Sequence, residues 1–293
     1  MDRPGAVGRL SPVDLGSSIR FDTGNTHSRL LECLSNSIAP DLRSRPRTEH
    51  RSPNSPAMNA SRTLTAIWIS FLAATPTGCD GNEDQLEDFG PFMDINICAP
   101  GSNTFVSPID NPFFPLPVGR VWNYEGTENG ADLALRITVL DETETVAGVQ
   151  TRVLEEREWE DGELIEVSRN YFAQTAGGTV CYFGEAVDIY EGGGIVSHDG
   201  AWRADDANSK PGIFMPADPM VGQAYQQEIA PGIAEDEAKI LRRGETVTTP
   251  AGSYSDTIRI KDQNPIDGDS GEKVYVRDVG LVIDGAVELT SIQ

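Results

Sequence analysis

Two glutamates and three tyrosines have the spacing from which a binding pocket or an acid–base pair could be built. Tyr171, Tyr182 and Tyr225 fall on segments with strand character, Glu185 and Glu228 stand three residues beyond the second and third of them, and Trp202, Phe214 and Met215 lie in the intervening stretch. Apolar walls with a few polar groups describe a site for a small apolar or amphipathic molecule. The same residues also describe a hydrophobic core whose phenol hydroxyls find carboxylate partners. A hydrolase would need Glu185 and Glu228 to face each other across a cleft with their pKa values driven apart. Binding of such a ligand without catalysis, or service as a structural envelope component, is the leading reading; a carboxylate-dependent hydrolase, or a calcium-binding or protein-interaction module, is the alternative.

Other constellations are weaker. Asp267, Asp269 and Glu272 gather three carboxylates in one loop, the way a chain collects hard oxygen ligands for calcium, but the spacing does not complete an EF-hand and a solvated acidic turn competes with it. Calcium is the only cofactor this chain suggests. Glu235-Asp236-Glu237 follows Pro231-Gly232 and would suit the N-terminus of a short helix. Zinc is disfavoured, because His198 is the only histidine beyond the leader region. Gly268-Asp-Ser-Gly271 has the form of a serine-protease nucleophile loop, yet no Gly-Pro follows it, and Asp267 to Gly271 falls where a hairpin turn is expected. Ser197-His198-Asp199 is no triad either, since adjacent strand residues point to opposite faces.

Localisation is the most legible property. Arg62 precedes an apolar run from Leu64 to Ala74, and small residues then lead to Gly78-Cys79. Eleven residues are far short of the roughly 20 that a spanning helix needs, so the run reads as a signal peptide. Met58 stands just ahead, so residues 1–57 read as an over-extended start, 58–78 as the signal peptide, 79–107 as an acidic tether and 108–293 as one β-rich domain. Cys79 is a candidate for lipidation, with plain secretion after a cut near Ala73 or Ala74 as the alternative. Either route places the domain outside the cytoplasm, with contact to a membrane only through a lipid anchor. Cys98 and Cys181 then remain as two thiols in an oxidising compartment, where they can bridge.

Charge narrows the partners. Residues 1–78 hold 9 of the 23 Lys and Arg and 6 of the 46 Asp and Glu, leaving 14 against 40 in the remainder. Such a surface repels phosphate backbones and anionic lipid, which argues against nucleic acid and makes calcium or other cations, and solubility in an ionic medium, its natural counterparts.

The elements that must position these residues are strands. Alternating or β-branched runs recur at Val121 to Gly126, Leu133 to Leu140, Thr151 to Trp159, Leu164 to Phe172, Thr179 to Phe183, Tyr225 to Ile229, Ala238 to Val247, Ser253 to Lys261, Lys273 to Arg277 and Leu281 to Leu289. Asp161-Gly162 and Gly177-Gly178 read as hairpin turns, and Val279-Gly280 introduces the last run. The pattern predicts an all-β, antiparallel meander of about ten strands curled into a half-open barrel or a sandwich. An irregular flap is expected from Gly192 to Val221, and at most one short helix, for which Ile233 to Leu241 is the candidate.

Asn111-Pro-Phe-Phe-Pro-Leu-Pro-Val-Gly-Arg-Val-Trp-Asn-Tyr-Glu125, Thr249-Pro-Ala-Gly-Ser-Tyr254 and Val274-Tyr-Val-Arg-Asp-Val-Gly-Leu-Val282 resemble segments of bacterial secreted proteins and lipoproteins. Val180-Cys-Tyr-Phe-Gly-Glu185 and Pro211-Gly-Ile-Phe-Met-Pro-Ala-Asp-Pro219 are similar to one largely uncharacterised branch of them. The resemblance implies an extracytoplasmic β-rich domain and no particular reaction.

Overall fold

A computed structural model describes residues 86–293; the expected signal peptide and Cys79 lie outside the described residues. A 3-10 turn at Ile95–Cys98 and three short strands, β1 (Phe105–Val106), β2 (Asp110–Asn111) and β3 (Phe114–Pro115), lead into a meander of long ones. These are β4 (Val121–Glu128), β5 (Ala131–Val146), β6 (Val149–Glu160), β7 (Glu163–Thr175) and β8 (Val180–Glu191), each antiparallel to the next. Their turns are chemically specified. Asn129-Gly130, Ala147-Gly148 and Asp161-Gly162 all have positive φ at both residues, the left-handed pair that matches the twist of a two-residue hairpin.

The stretch expected as an irregular flap is largely strand: β9 (Gly194–Ser197), β10 (Trp202–Arg203) and β11 (Lys210–Met215) all pair with β8. Its Gly, Pro and Asp residues sit in the connections, and Lys210–Met215 supplies a buried strand that those neighbours obscure in the sequence. Next come β12 (Ala224–Gln226), β13 (Glu228–Ile229) and β14 (Glu237–Arg243), the last occupying much of the run read as a helix. Backbone pairing on both sides, with β12 and with β17 below, decides for strand there. A β15–β16 hairpin (Val247–Thr249, Gly252–Tyr254) precedes β17 (Thr257–Gln263), β18 (Ser270–Val276), β19 (Gly280–Asp284) and β20 (Val287–Ile292).

Thirteen strands form one continuous sheet in the order β12-β14-β17-β18-β19-β20-β4-β5-β6-β7-β8-β11-β13. Its two outermost strands are consecutive in the chain, with only Gln227 between them, so the sheet curls round until its ends meet in a nearly closed barrel. Closure is tight at this seam. A side chain at Gly212 on β11 would place its Cβ 1.9 Å from the Gln227 carbonyl oxygen, so only glycine fits.

Residues 86–107, read from the sequence as part of a tether, lie on the barrel. Phe89 is buried, Gln263 accepts the Glu87 N–H at 3.1 Å, and β1 pairs with β7. Cys98 and Cys181 form a disulfide with a Cα separation of 5.6 Å, tying this segment to β8. The β2–β3 hairpin then drives Phe114 into the lumen. Its ring lies 5.1 Å from Phe172, 4.5 Å from Phe214 and 6.4 Å from Tyr275, on strands far apart in the sheet order, which only a residue inside the barrel can touch together.

Candidate functional site

The inward face of the barrel is apolar with a set of buried carboxyls among its aromatic and aliphatic side chains. Cross-strand register sets Trp122 opposite Ile137 and Ile137 opposite Glu156, and the neighbouring row runs Tyr124, Leu135, Glu158, Glu166. Asn170 pairs with Glu185, and Glu185 with Trp202. Burial pushes the carboxyls of Glu158 and Glu185 well above the usual range, with neighbouring glutamates adding to it, and raises Glu156 to about 7. On the opposite wall Lys273 is held between Asp284 at 3.2 Å and Asp262 at 3.8 Å. Those two carboxylates keep its ammonium above its ordinary range despite the burial that opposes charge. Between the walls lies a cavity of about 20 Å³, lined among others by Phe114, Trp122, Glu156, Phe214 and Lys273, with room for about one water.

The aromatic and acid residues singled out from the sequence are mostly brought together, but as packing. Tyr182 stacks on Phe172 at 4.7 Å and meets Trp202 edge-on at 5.4 Å and Phe214 at 5.8 Å. Its hydroxyl donates to Asn170, and both Glu185 and Glu228 lie close enough to oppose its ionisation. Met215 is fully buried beside them on β11. Tyr225 sits on the other wall, its hydroxyl near Asp262. Tyr171 is separate: it lies at a bulge in β7 with the Arg203 guanidinium 5.7 Å over its ring. Arg203 in turn binds Glu144, Asp205 and the Thr145 carbonyl, fastening the β10 loop to the β5–β6 hairpin.

The loop carboxylates do not converge as a ligand set. Asp267 accepts the Asp269 N–H in a local turn, while Glu272 faces Arg259 at 3.0 Å. Among the described residues no group of three or more His, Cys, Asp or Glu side chains is arranged to hold a metal ion. Ser270 opens β18 opposite Gln263, whereas His198 donates to the Val187 carbonyl at 2.8 Å and lies 2.9 Å from Asp188 on the β8–β9 side of the sheet.

A larger space lies on the surface, at residues that sequence reasoning passed over. Between the β4–β5 hairpin, the end of β6, the Pro250 turn and β20 is a cleft of about 830 Å³. Leu133, Ala134, Trp159, Pro250 and Ala286 give it apolar walls; Glu125, Asp132 and Glu288 add three carboxylates, and no basic side chain lines it. Two irregularities in strand pairing flank it, one between Glu158 and Trp159 and one between Leu289 and Ser291. Bulges of this kind re-aim side chains. The Arg136 guanidinium lies 5.9 Å from the Trp159 ring centroid. Gly126 lets the strands close in beneath, since a Cβ there would fall 2.1 Å from the Ala286 carbonyl oxygen. The one signal in the sequence is the Trp itself, bracketed by Glu158 and Glu160 on a strand.

The fold and its surfaces thus define an all-β barrel with an acid-rich lumen and an outer cleft. Comparison with known proteins adds nothing to this: no family model, no curated protein and no solved structure matches the chain. Among the described residues no helix is long and apolar enough to cross a membrane.

Proposed function

We propose that this chain is an exported, non-catalytic barrel that binds a small amphipathic molecule carrying a positive charge, in the cleft around Trp159. The observation that carries this reading is the cleft itself: about 830 Å³, apolar on its walls, with three carboxylates and no basic side chain. That volume falls within the range of small-molecule sites. By contrast, the space of about 20 Å³ beside Glu156 and Lys273 is too small for such a ligand. The Trp159 indole already carries the Arg136 guanidinium 5.9 Å from its ring centroid, so its remaining surface offers contact to an apolar body, while the three carboxylates attract a cationic head and reject anions. The Cys98–Cys181 bridge supports an extracytoplasmic setting, where disulfides persist. Attachment through a lipid on Cys79 is part of the same proposal.

Tryptophan fluorescence during titration with octyltrimethylammonium and with octyl sulfate, both below their micellar concentrations, tests it. The expected result is a saturable change with the cation, none with the anion, and loss of the response in Trp159→Phe. Equal responses to both probes, or an undiminished response in the variant, would count against the cleft as the site.

A further inference from the structure

The barrel seam converges on one residue. The backbone carbonyl of Asp236 accepts the N–H groups of both Gln227 at 2.8 Å and Glu228 at 3.2 Å, and these bonds fasten the two ends of the sheet. Asp236 is 8 % exposed, and its Oδ1 is buried with no hydrogen-bond partner.

The surroundings are crowded with the same charge. Tyr225 on β12, Ala238 on β14 and Asp262 on β17 form one cross-strand row, and Asp236 stands two residues before Ala238. The Tyr225 hydroxyl and Asp262 Oδ1 are likewise buried without a hydrogen-bond partner. Five charged groups face Asp236: Glu185 on β8, Glu228 on β13, Asp262 on β17, Asp267 in the β17–β18 loop, and the cation Lys273 on β18. That ammonium lies 3.2 Å from Asp284 and 3.8 Å from Asp262.

We propose that Asp236 is a pH-sensitive latch on the barrel: neutral, it lets β12 and β13 close on its carbonyl, and ionised, it is repelled by Glu228 and Asp262 and the seam opens. Burial, with those two carboxylates adding to it, holds the Asp236 carboxyl well above the usual range, and Asp262 is raised to about 7. The sign follows from linkage. A carboxyl raised in the closed state binds a proton that the open state releases, so closure is fully favoured below the ordinary carboxylate range and weakens as pH rises toward the raised value.

Hydrogen exchange of the full chain between pH 5 and 8, corrected for intrinsic exchange rates, tests the latch. Peptides covering 224–237 are expected to lose protection by about tenfold per pH unit, the signature of one proton released on opening, while peptides from β5 hold theirs. Asp236→Asn is expected to remove that slope at the seam. Should this variant fold poorly, Asp262→Asn removes one repelling charge and is expected to reduce the loss at pH 8. Seam protection that is independent of pH in the unmodified protein, or an unchanged slope in both variants, overturns the proposal.

Discussion

Removing the Cys98–Cys181 bridge is expected to cost about a third or more of the stability of this fold. The bond closes a loop with a sequence separation of 83 residues. On the chain-entropy account a loop of that length restrains the unfolded state by about 15 cal/mol/K, or about 4.5 kcal/mol at room temperature. Small domains have only about 5–15 kcal/mol in total. Both sulfurs are buried, so the paired Cys98→Ala, Cys181→Ala variant avoids placing hydroxyls in an apolar site. The N-terminal segment is then held by the remaining contacts, among them the β1–β7 pairing, the Phe105–Phe183 contact at 5.4 Å, the Met93 N–H bond to Ala224 at 2.8 Å, buried Phe89 and the Glu87 bonds to Gln263 and Lys261. Urea unfolding followed by near-ultraviolet dichroism, for the oxidised protein and the double variant, measures the difference. A loss of 3–5 kcal/mol agrees with the reasoning, and a loss under about 1 kcal/mol would refute it, because the segment would then be held by its packing alone.

Other consequences follow from the lumen. Phe114→Ala removes the ring that joins Phe172, Phe214 and Tyr275, and is expected to cost about 3–5 kcal/mol in the same unfolding experiment. Lys273→Met leaves Asp262 and Asp284 buried without their shared cation, at about 3–5 kcal/mol at neutral pH, and the deficit is expected to shrink as acid protonates Asp262. Glu156 has a native value of about 7 against an ordinary 4.5, so the unfolded chain releases this proton first and stability declines as pH rises from about 4.5 to 7. Glu156→Gln is expected to flatten that decline by about 3 kcal/mol; an unaltered pH profile for the melting temperature would show that the group is ionised in the fold.

Much of the barrel was legible because strand period and turn chemistry act locally. Asp161-Gly162 carries its own backbone preference, and alternation along Val121 to Gly126 and Leu133 to Leu140 marks one buried face of each strand. Lys210–Met215 escaped because it is buried along nearly its whole length and is edged by Gly and Pro, which erases the period. Ile233 to Leu241 was ambiguous for a similar reason: which partner a short apolar run finds is a long-range matter, settled here by β12 and β17. The run Tyr225 to Ile229 reads as one strand, yet it breaks at Gln227 into the two ends of the sheet. Nothing local distinguishes a closing seam from an ordinary strand.

The candidate site was less legible than the fold. Tyr182, Trp202 and Phe214 pack ring against ring with Glu185 and Glu228 near the Tyr182 hydroxyl, and of the two arrangements their spacing left open, core and pocket, this is the packing of a core. The cleft depends on Trp159, Pro250 and Glu288, whose adjacency exists only once β20 has paired with β4.

The indole N–H resonances of the 15N-labelled full chain, followed during titration with octyltrimethylammonium, test the central claim most directly. Trp122 and Trp202 are buried, so binding in the outer cleft is expected to shift the Trp159 signal and leave theirs in place. Shifts confined to Trp122 and Trp202, or no saturable shift at Trp159, would contradict the account and return the question of function to the barrel interior.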